Sequence, residues 1–165
     1  MNRTRIRWLL LWPVAAIVLA LDQLTKTWVV KNIPLNGVWV PFPALANIFW
    51  FKHLTNTGAA FGIFRNGSSV LLAIAVVVII AIIVYARYLS SDRWLVVLSL
   101  GFQLGGALGN FTDRVRYGHV VDFIDVPYWP TSNVADSSLI VGVVLLAFLV
   151  LTEKEEAPVQ GIIEG

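Results

Sequence analysis

Four long apolar stretches constrain this chain more than any other feature. The first runs from Trp8 to about Val30 and is uncharged through Leu21, after which Asp22 and Lys26 appear. The second spans about Ser69 to Tyr88, the third Trp94 to about Asn110, and the fourth about Ala135 to Thr152. Each is near the ~20 residues that cross a hydrocarbon core ~30 Å thick at ~1.5 Å per residue. Lipid cannot satisfy open backbone N–H and C=O groups, so such stretches must be helices. Composition agrees: 58% of the 165 residues are hydrophobic and 13% charged, against about 25% charged in soluble domains. So short a chain has too little interior to hide that apolar surface from water. The expected fold class is an all-α membrane protein, a single domain over residues 1–152 with four transmembrane helices and a polar tail over 153–165.

Arg3, Arg5 and Arg7 before an apolar run also suit a cleaved signal peptide. No clear small-x-small cleavage site follows, and the run continues past Asp22, so a retained helix is expected. The same arginines, with Arg87 and Arg93 around the turn between helices two and three and Lys154 after helix four, place both termini and that turn in the cytoplasm. Lys31, Lys52, Arg65, Arg114 and Arg116 lie on the other side, so the dense N-terminal cluster decides the orientation. The long segment from Lys31 to about Ser68 then lies outside. Its alternation in VWVPF and the run NIFWFKHL suit strands, and its Trp residues suit the interface. It is expected to form a small extracytoplasmic β-containing cap. A second outer segment, Phe111 to Asn133, links helices three and four.

Several chemistries are disfavoured at once. Cysteine is absent, which removes disulfides and Cys-ligated metals. His53 and His119 stand far apart and no HExxH pair occurs, so no metal site is expected. No GxSxG elbow marks a serine hydrolase. The basic residues form no run suited to nucleic acid.

Acidic residues are scarce, so their placement carries information. Asp22, Asp113, Asp122, Asp125 and Asp136 all fall at or near the outer helix ends, where ionisable groups are costly and are functional candidates. Asp22 and Lys26 share one helical face in the favourable order. They form either a structural ion pair or a brace for an active site. The segment HLTNTGAAFG, His53 to Gly62, combines Asn56 with small residues such as Gly58, as either a tight turn or a clamp on substrate backbone. In GGALGNFTDR, Gly105, Ala107 and Gly109 give a slim helix surface. Asn110, Asp113 and Arg114 then form a polar cluster at the helix end. Asp122 lies among Val120, Val121, Phe123 and Ile124, which would raise its pKa by desolvation. Asp136 opens helix four, with Asn133 as its cap. The two carboxylates are either a proton-sharing acid–base pair or a loop hydrogen-bonder and a helix cap. The 14-residue gap alone does not decide between them.

LDQLTK, NTGAAFG, GGALGNFTDRV, VVDF and NVADS together resemble the lipoprotein signal peptidase family, signal peptidase II, in order over about residues 8–150. The resemblance implies an aspartyl endopeptidase of the bacterial cytoplasmic (inner) membrane that removes signal peptides from diacylglyceryl-modified prolipoproteins. It would cut on the N-terminal side of the lipidated cysteine and need no metal or organic cofactor. The family's catalytic aspartates fall on Asp122 and Asp136. Its supporting residues fall on Asp22, Lys26, Asn56, Gly58, Asn110, Asp113, Arg114 and Asn133. The prolipoprotein, membrane lipid and the cyclic peptide inhibitor globomycin are the implied partners, and a monomer is expected. The family commonly has Phe before the Asn of the last motif; here Ser132 stands there and removes an aromatic beside the two acids. A proton-coupled transporter would instead place acids at the midplane or show inverted repeats, and neither is visible. A non-catalytic scaffold would not require both aspartates.

Overall fold

The computed structural model describes residues 3–58, 67–88 and 94–152, with side chains from Leu10 onward. Four helices make the frame: α1 (Arg3–Asn32), α2 (Ser68–Tyr88), α3 (Trp94–Tyr117) and α4 (Val134–Leu151). Each contains a span long and apolar enough to cross a membrane, and the chain is a multi-pass membrane protein. Three strands, β1 (Val38–Trp39), β2 (Trp50–Asn56) and β3 (Val120–Asp125), cap one end.

α3 is the central helix, because 61% of its membrane-crossing window is buried against 28%, 11% and 17% for α1, α2 and α4. Glycine permits this. A Cβ on Gly105 would lie 2.6 Å from Val18 Cβ of α1. One on Gly106 would meet Ala135 O and, at 2.5 Å, Ser138 Oγ of α4. The slim surface expected of this helix therefore serves two neighbours on two sides, with the backbone approach that small residues allow in membranes. α2 packs on α3 through Ile82 and Ala86, against Val96, Val97, Leu100 and Leu104. Most of its remaining surface is apolar and exposed, as suits a helix facing lipid.

Two helix boundaries differ from expectation. α1 begins at Arg3 rather than Trp8. α3 does not end at Asn110 but continues to Tyr117, carrying Asp113 and Arg114 inside the helix. Asn and Asp are poor helix formers, but here their side chains are committed to neighbouring elements, so they do not compete for the local backbone.

The sheet is antiparallel in the order β1-β2-β3, with Trp39 opposite Phe51 and Leu54 opposite Asp122. Both expected strand regions in the 31–68 segment form. The cap nevertheless extends beyond that segment, since its third strand comes from the link between α3 and α4. VVDFID was not read as a strand because four of its six residues, Val120 to Phe123, are buried, which erases the apolar–polar alternation. A bulge between Phe51 and Leu54 shifts the register. The sheet sits on the end of α1, where Val29 and Ile33 pack with Val121 and Phe123. Trp28, Trp39, Phe51 and Phe123 continue this contact, with centroids 5.1 Å, 5.5 Å and 5.7 Å apart in that order. The turn holding Arg93, the Ala59–Gly62 end of the proposed clamp, Arg65, the side chains of Arg3, Arg5 and Arg7, and the 153–165 tail lie outside the described residues.

Candidate active site

Two elements of different kind deliver the two candidate acids. Asp122 points from the middle of β3, and Asp136 lies in the first turn of α4. Asn133 joins them. It caps α4 with its Oδ1, accepting from the Asp136 N–H at 2.9 Å, and its Nδ2 donates to Asp122 Oδ1 at 2.7 Å. Asn56, at the end of β2, donates from Nδ2 to Asp122 Oδ2 at 2.8 Å. Asn110 of α3 donates from Nδ2 to Asp136 Oδ1 at 2.7 Å.

An amide side chain can face either way, so something must orient these three. In each, the oxygen is claimed by a group that can only donate. The Gly58 N–H reaches Asn56 Oδ1 at 2.9 Å, the Asp136 N–H reaches Asn133 Oδ1, and Lys26 Nζ reaches Asn110 Oδ1 at 3.1 Å. Every amide is thereby forced to present its NH2 to a carboxylate. Asp122 and Asp136 are held from three elements, by Asn56 of β2, Asn110 of α3 and Asn133 at the end of the β3–α4 link.

A second layer locks Lys26. Its ammonium is buried between Asp22 Oδ2 at 2.8 Å and Asp113 Oδ2 at 2.9 Å. Asp22 Oδ1 accepts the Ala135 N–H at 2.9 Å, next to Asp136. Asp113 Oδ2 accepts the Val121 N–H at 3.1 Å, next to Asp122. The Asp22–Lys26 pair is thus part of a brace reaching the backbone beside both acids, and the contacts of Asp113 run to α1 and β3. Gln23, which sequence reasoning passed over, donates to Asp113 Oδ1 at 2.8 Å. Its place inside LDQLTK, between two residues already singled out, was the available signal. Arg114 parts from Asp113: it reaches Gly58 O and Asn110 O at 3.4 Å, and its Nε is buried without a hydrogen-bond partner.

Asp122 and Asp136, with Asn56, Asn110 and Arg114, line a cavity of about 310 Å³ that also includes Trp129, Ser132, Leu139 and Ile140. Its apolar wall comes from α4; among the described residues α2 does not line it. Ser132 is fixed through its backbone, bridging Ile124 of β3, and its small side chain leaves Trp129 as the aromatic of this wall. Burial, and then the charge of Asp136, push the Asp122 carboxyl up to about 7, while the Asn56 and Asn133 amides pull the other way. Asp125 stands apart, accepting from Trp50 Nε1 at 2.6 Å and Thr131 Oγ1 at 3.0 Å. Among the described residues no three His, Asp or Glu side chains are grouped to hold a metal ion.

The sequence profile of the family described as Signal peptidase (SPase) II matches residues 14–152. The chain belongs to the signal peptidase II family. It is 42% identical over 143 residues to a lipoprotein signal peptidase of Moorella thermoacetica, covering 87% of this chain and 93% of that one. It is 40% identical over 150 residues to the lipoprotein signal peptidase of Bacillus subtilis, covering 88% and 96%. A solved bacterial membrane enzyme, determined by the in meso method at 2.3 Å resolution, superposes with a TM-score of 0.83 at 27% identity, covering 93% of this chain and 94% of that one. Membership in the signal peptidase II family makes this chain a peptidase.

Proposed function

We propose that the protein is the endopeptidase that removes signal peptides from diacylglyceryl-modified prolipoproteins, cutting on the N-terminal side of the lipidated cysteine. The observation that carries this reading is the joining of Asp122 and Asp136 by the single amide of Asn133, in a cavity whose other wall is apolar. A membrane-anchored substrate brings its scissile bond to that depth and lays acyl chains beside Leu139 and Ile140.

The two carboxyls share one proton in this mechanism, since like charges this close do not both ionise readily. The ionised member takes a proton from water as the oxygen attacks the scissile carbonyl carbon. The protonated member gives its proton to the carbonyl oxygen. The tetrahedral intermediate collapses as the C–N bond breaks: the proton taken from water passes to the departing amine of the cysteine, and one hydroxyl proton of the intermediate returns to the carboxyl that gave its own, restoring the singly protonated pair. The signal peptide leaves as a carboxylic acid, with no covalent adduct to the enzyme. Asn56, Asn110 and Asn133 orient the acids. Asp22, Lys26 and Asp113 brace them. Gly58 and Arg114 line the path of the substrate backbone. The pair is a macroscopic unit, so the proton belongs to both residues.

The same reading places the enzyme in the bacterial cytoplasmic membrane as a monomer, with the sheet outside and both termini inside. Residues 1–152 form the single peptidase domain and 153–165 a cytoplasmic tail. A globomycin-type cyclic peptide competes for the cavity. The test is cleavage of a purified diacylglyceryl prolipoprotein followed by gel shift. Asp122→Asn and Asp136→Asn are each expected to lower the rate by about 10³-fold or more while the protein stays folded. A folded parent that cleaves no lipidated substrate would refute the reading, as would either variant keeping near-full activity.

A further inference from the structure

A second cavity, of about 290 Å³, lies on the opposite side of β3 from the acids, between the ends of α1 and α3. Successive residues of a strand face opposite ways. Val120 and Asp122 accordingly line the acid-bearing cavity while Val121 lines this one, so the strand is the partition between them. The α1 residues Gln23, Lys26, Thr27, Val30 and Lys31 contribute one helical face, completed by Tyr117 and His119.

Its charges are unevenly used. Lys26 is consumed by Asp22 and Asp113, and both oxygens of Asp113 already accept hydrogen bonds. Asp22 does not line this cavity. The floor is therefore a satisfied ion pair. Among the described residues no hydrogen bond or ion pair engages Lys31 or His119. The uncommitted charge at the mouth is positive, with the Tyr117 hydroxyl beside it. Val30 and Tyr117 line the cavity with surface that is 51% and 57% exposed, near the ends of α1 and α3 at interfacial depth, and Leu24, 67% exposed, lies further down α1.

We infer that this cavity is a binding site for the phosphodiester headgroup of an anionic glycerophospholipid. Lys31 and His119 hold the phosphate oxygens, Tyr117 adds a hydroxyl, and the acyl chains run down the α1 flank past Val30 and Leu24. A lysine at a membrane surface favours anionic lipid by about fivefold in affinity, and the His119 ring adds a hydrogen-bond donor. The site goes beyond peptidase chemistry and uses none of the residues assigned to cleavage as its phosphate ligands.

The experiment measures thermal unfolding and native mass spectra of the full chain in detergent at pH 6, with phosphatidylglycerol, phosphatidylcholine of the same chains, or soluble glycerol 3-phosphate added. Phosphatidylglycerol is expected to raise Tm above the phosphatidylcholine value and to give a bound-lipid peak. Lys31→Gln with His119→Gln should weaken that binding by about fivefold or more, leaving cleavage in phosphatidylcholine unchanged. Lys52→Gln, outside the cavity, should keep it. Equal effects of the two lipids, retention in the double variant, or loss in Lys52→Gln would overturn the proposal. An equal gain from glycerol 3-phosphate would overturn the lipid assignment in favour of a soluble phosphate. Should the double variant fail to fold, the bound-lipid peak of each single variant against the parent decides, and an undiminished peak in both overturns the site.

Discussion

Replacing Lys26 with Met tests the brace directly. Lys26 is 3% exposed, and its two carboxylate partners, Asp22 and Asp113, are 0% and 1% exposed. Met keeps the length of the stem and removes the charge. Two buried carboxylates then face each other with only Gln23 and the backbone N–H groups of Ala135 and Val121 as donors. Removing one partner of a buried ion pair costs about 3–5 kcal/mol, most of it the uncompensated charge left behind. For a chain of this size that is a drop in Tm of about 6–20 °C. Activity should fall as well, because the Asn110 oxygen loses its charged donor and keeps only the longer bond from Asn133 Nδ2 at 3.3 Å, which orients the amide less firmly toward Asp136. Thermal unfolding in detergent and the prolipoprotein gel shift read the two effects. Adding Asp22→Asn and Asp113→Asn to Lys26→Met removes the unpaired charge and should recover most of the stability without restoring full activity. A Tm loss below about 3 °C for Lys26→Met alone, or no recovery in the triple variant, would refute the reasoning.

Three further outcomes follow from the geometry. Asp122 has a folded pKa of about 7 against an unfolded value near 3.9, so between these the native state holds a proton that the unfolded chain has lost. Its contribution to stability is therefore full below pH ~4 and declines as pH rises to ~7; Tm should fall over that window in the parent and less steeply in Asp122→Asn, and on the proposed mechanism kcat/KM should decline above pH ~7. Gly106→Ala places a methyl against Ala135 O and Ser138 Oγ, which should cost about 1–3 kcal/mol by overpacking and reduce cleavage by pushing back the helix that carries Asp136, both measurable on one preparation. Asp125→Ala loses the Trp50 and Thr131 hydrogen bonds, so Tm should drop by a few degrees while the cleavage rate stays within about tenfold of the parent, separating this acid from the pair.

Much of the frame was legible because bilayer crossing imposes a length and polarity that read directly from composition. α2 and α4 fall within a residue of expectation for that reason. The end of α3 was not legible, since Asn110, Asp113 and Arg114 look like loop until their partners on α1, β2 and β3 are known. β3 was hidden because it is buried along most of its length. Scarcity and setting made Asp122 and Asp136 candidates and the family resemblance singled them out, while a helix cap read from sequence gives no hint that the nitrogen of Asn133 also serves Asp122. Gln23 was missed because a lone amide between two charged residues has no pattern of its own.

A side-chain amide is planar, and the separation of its oxygen and nitrogen is set by covalent bonds. With Asn133 between them, the carboxylate of Asp122 and the backbone N–H of Asp136 are held to one planar amide. Membranes differ in thickness, and helices answer by tilting. Because that amide ties the start of α4 to β3, tilt can carry the helix and the sheet together relative to the bilayer.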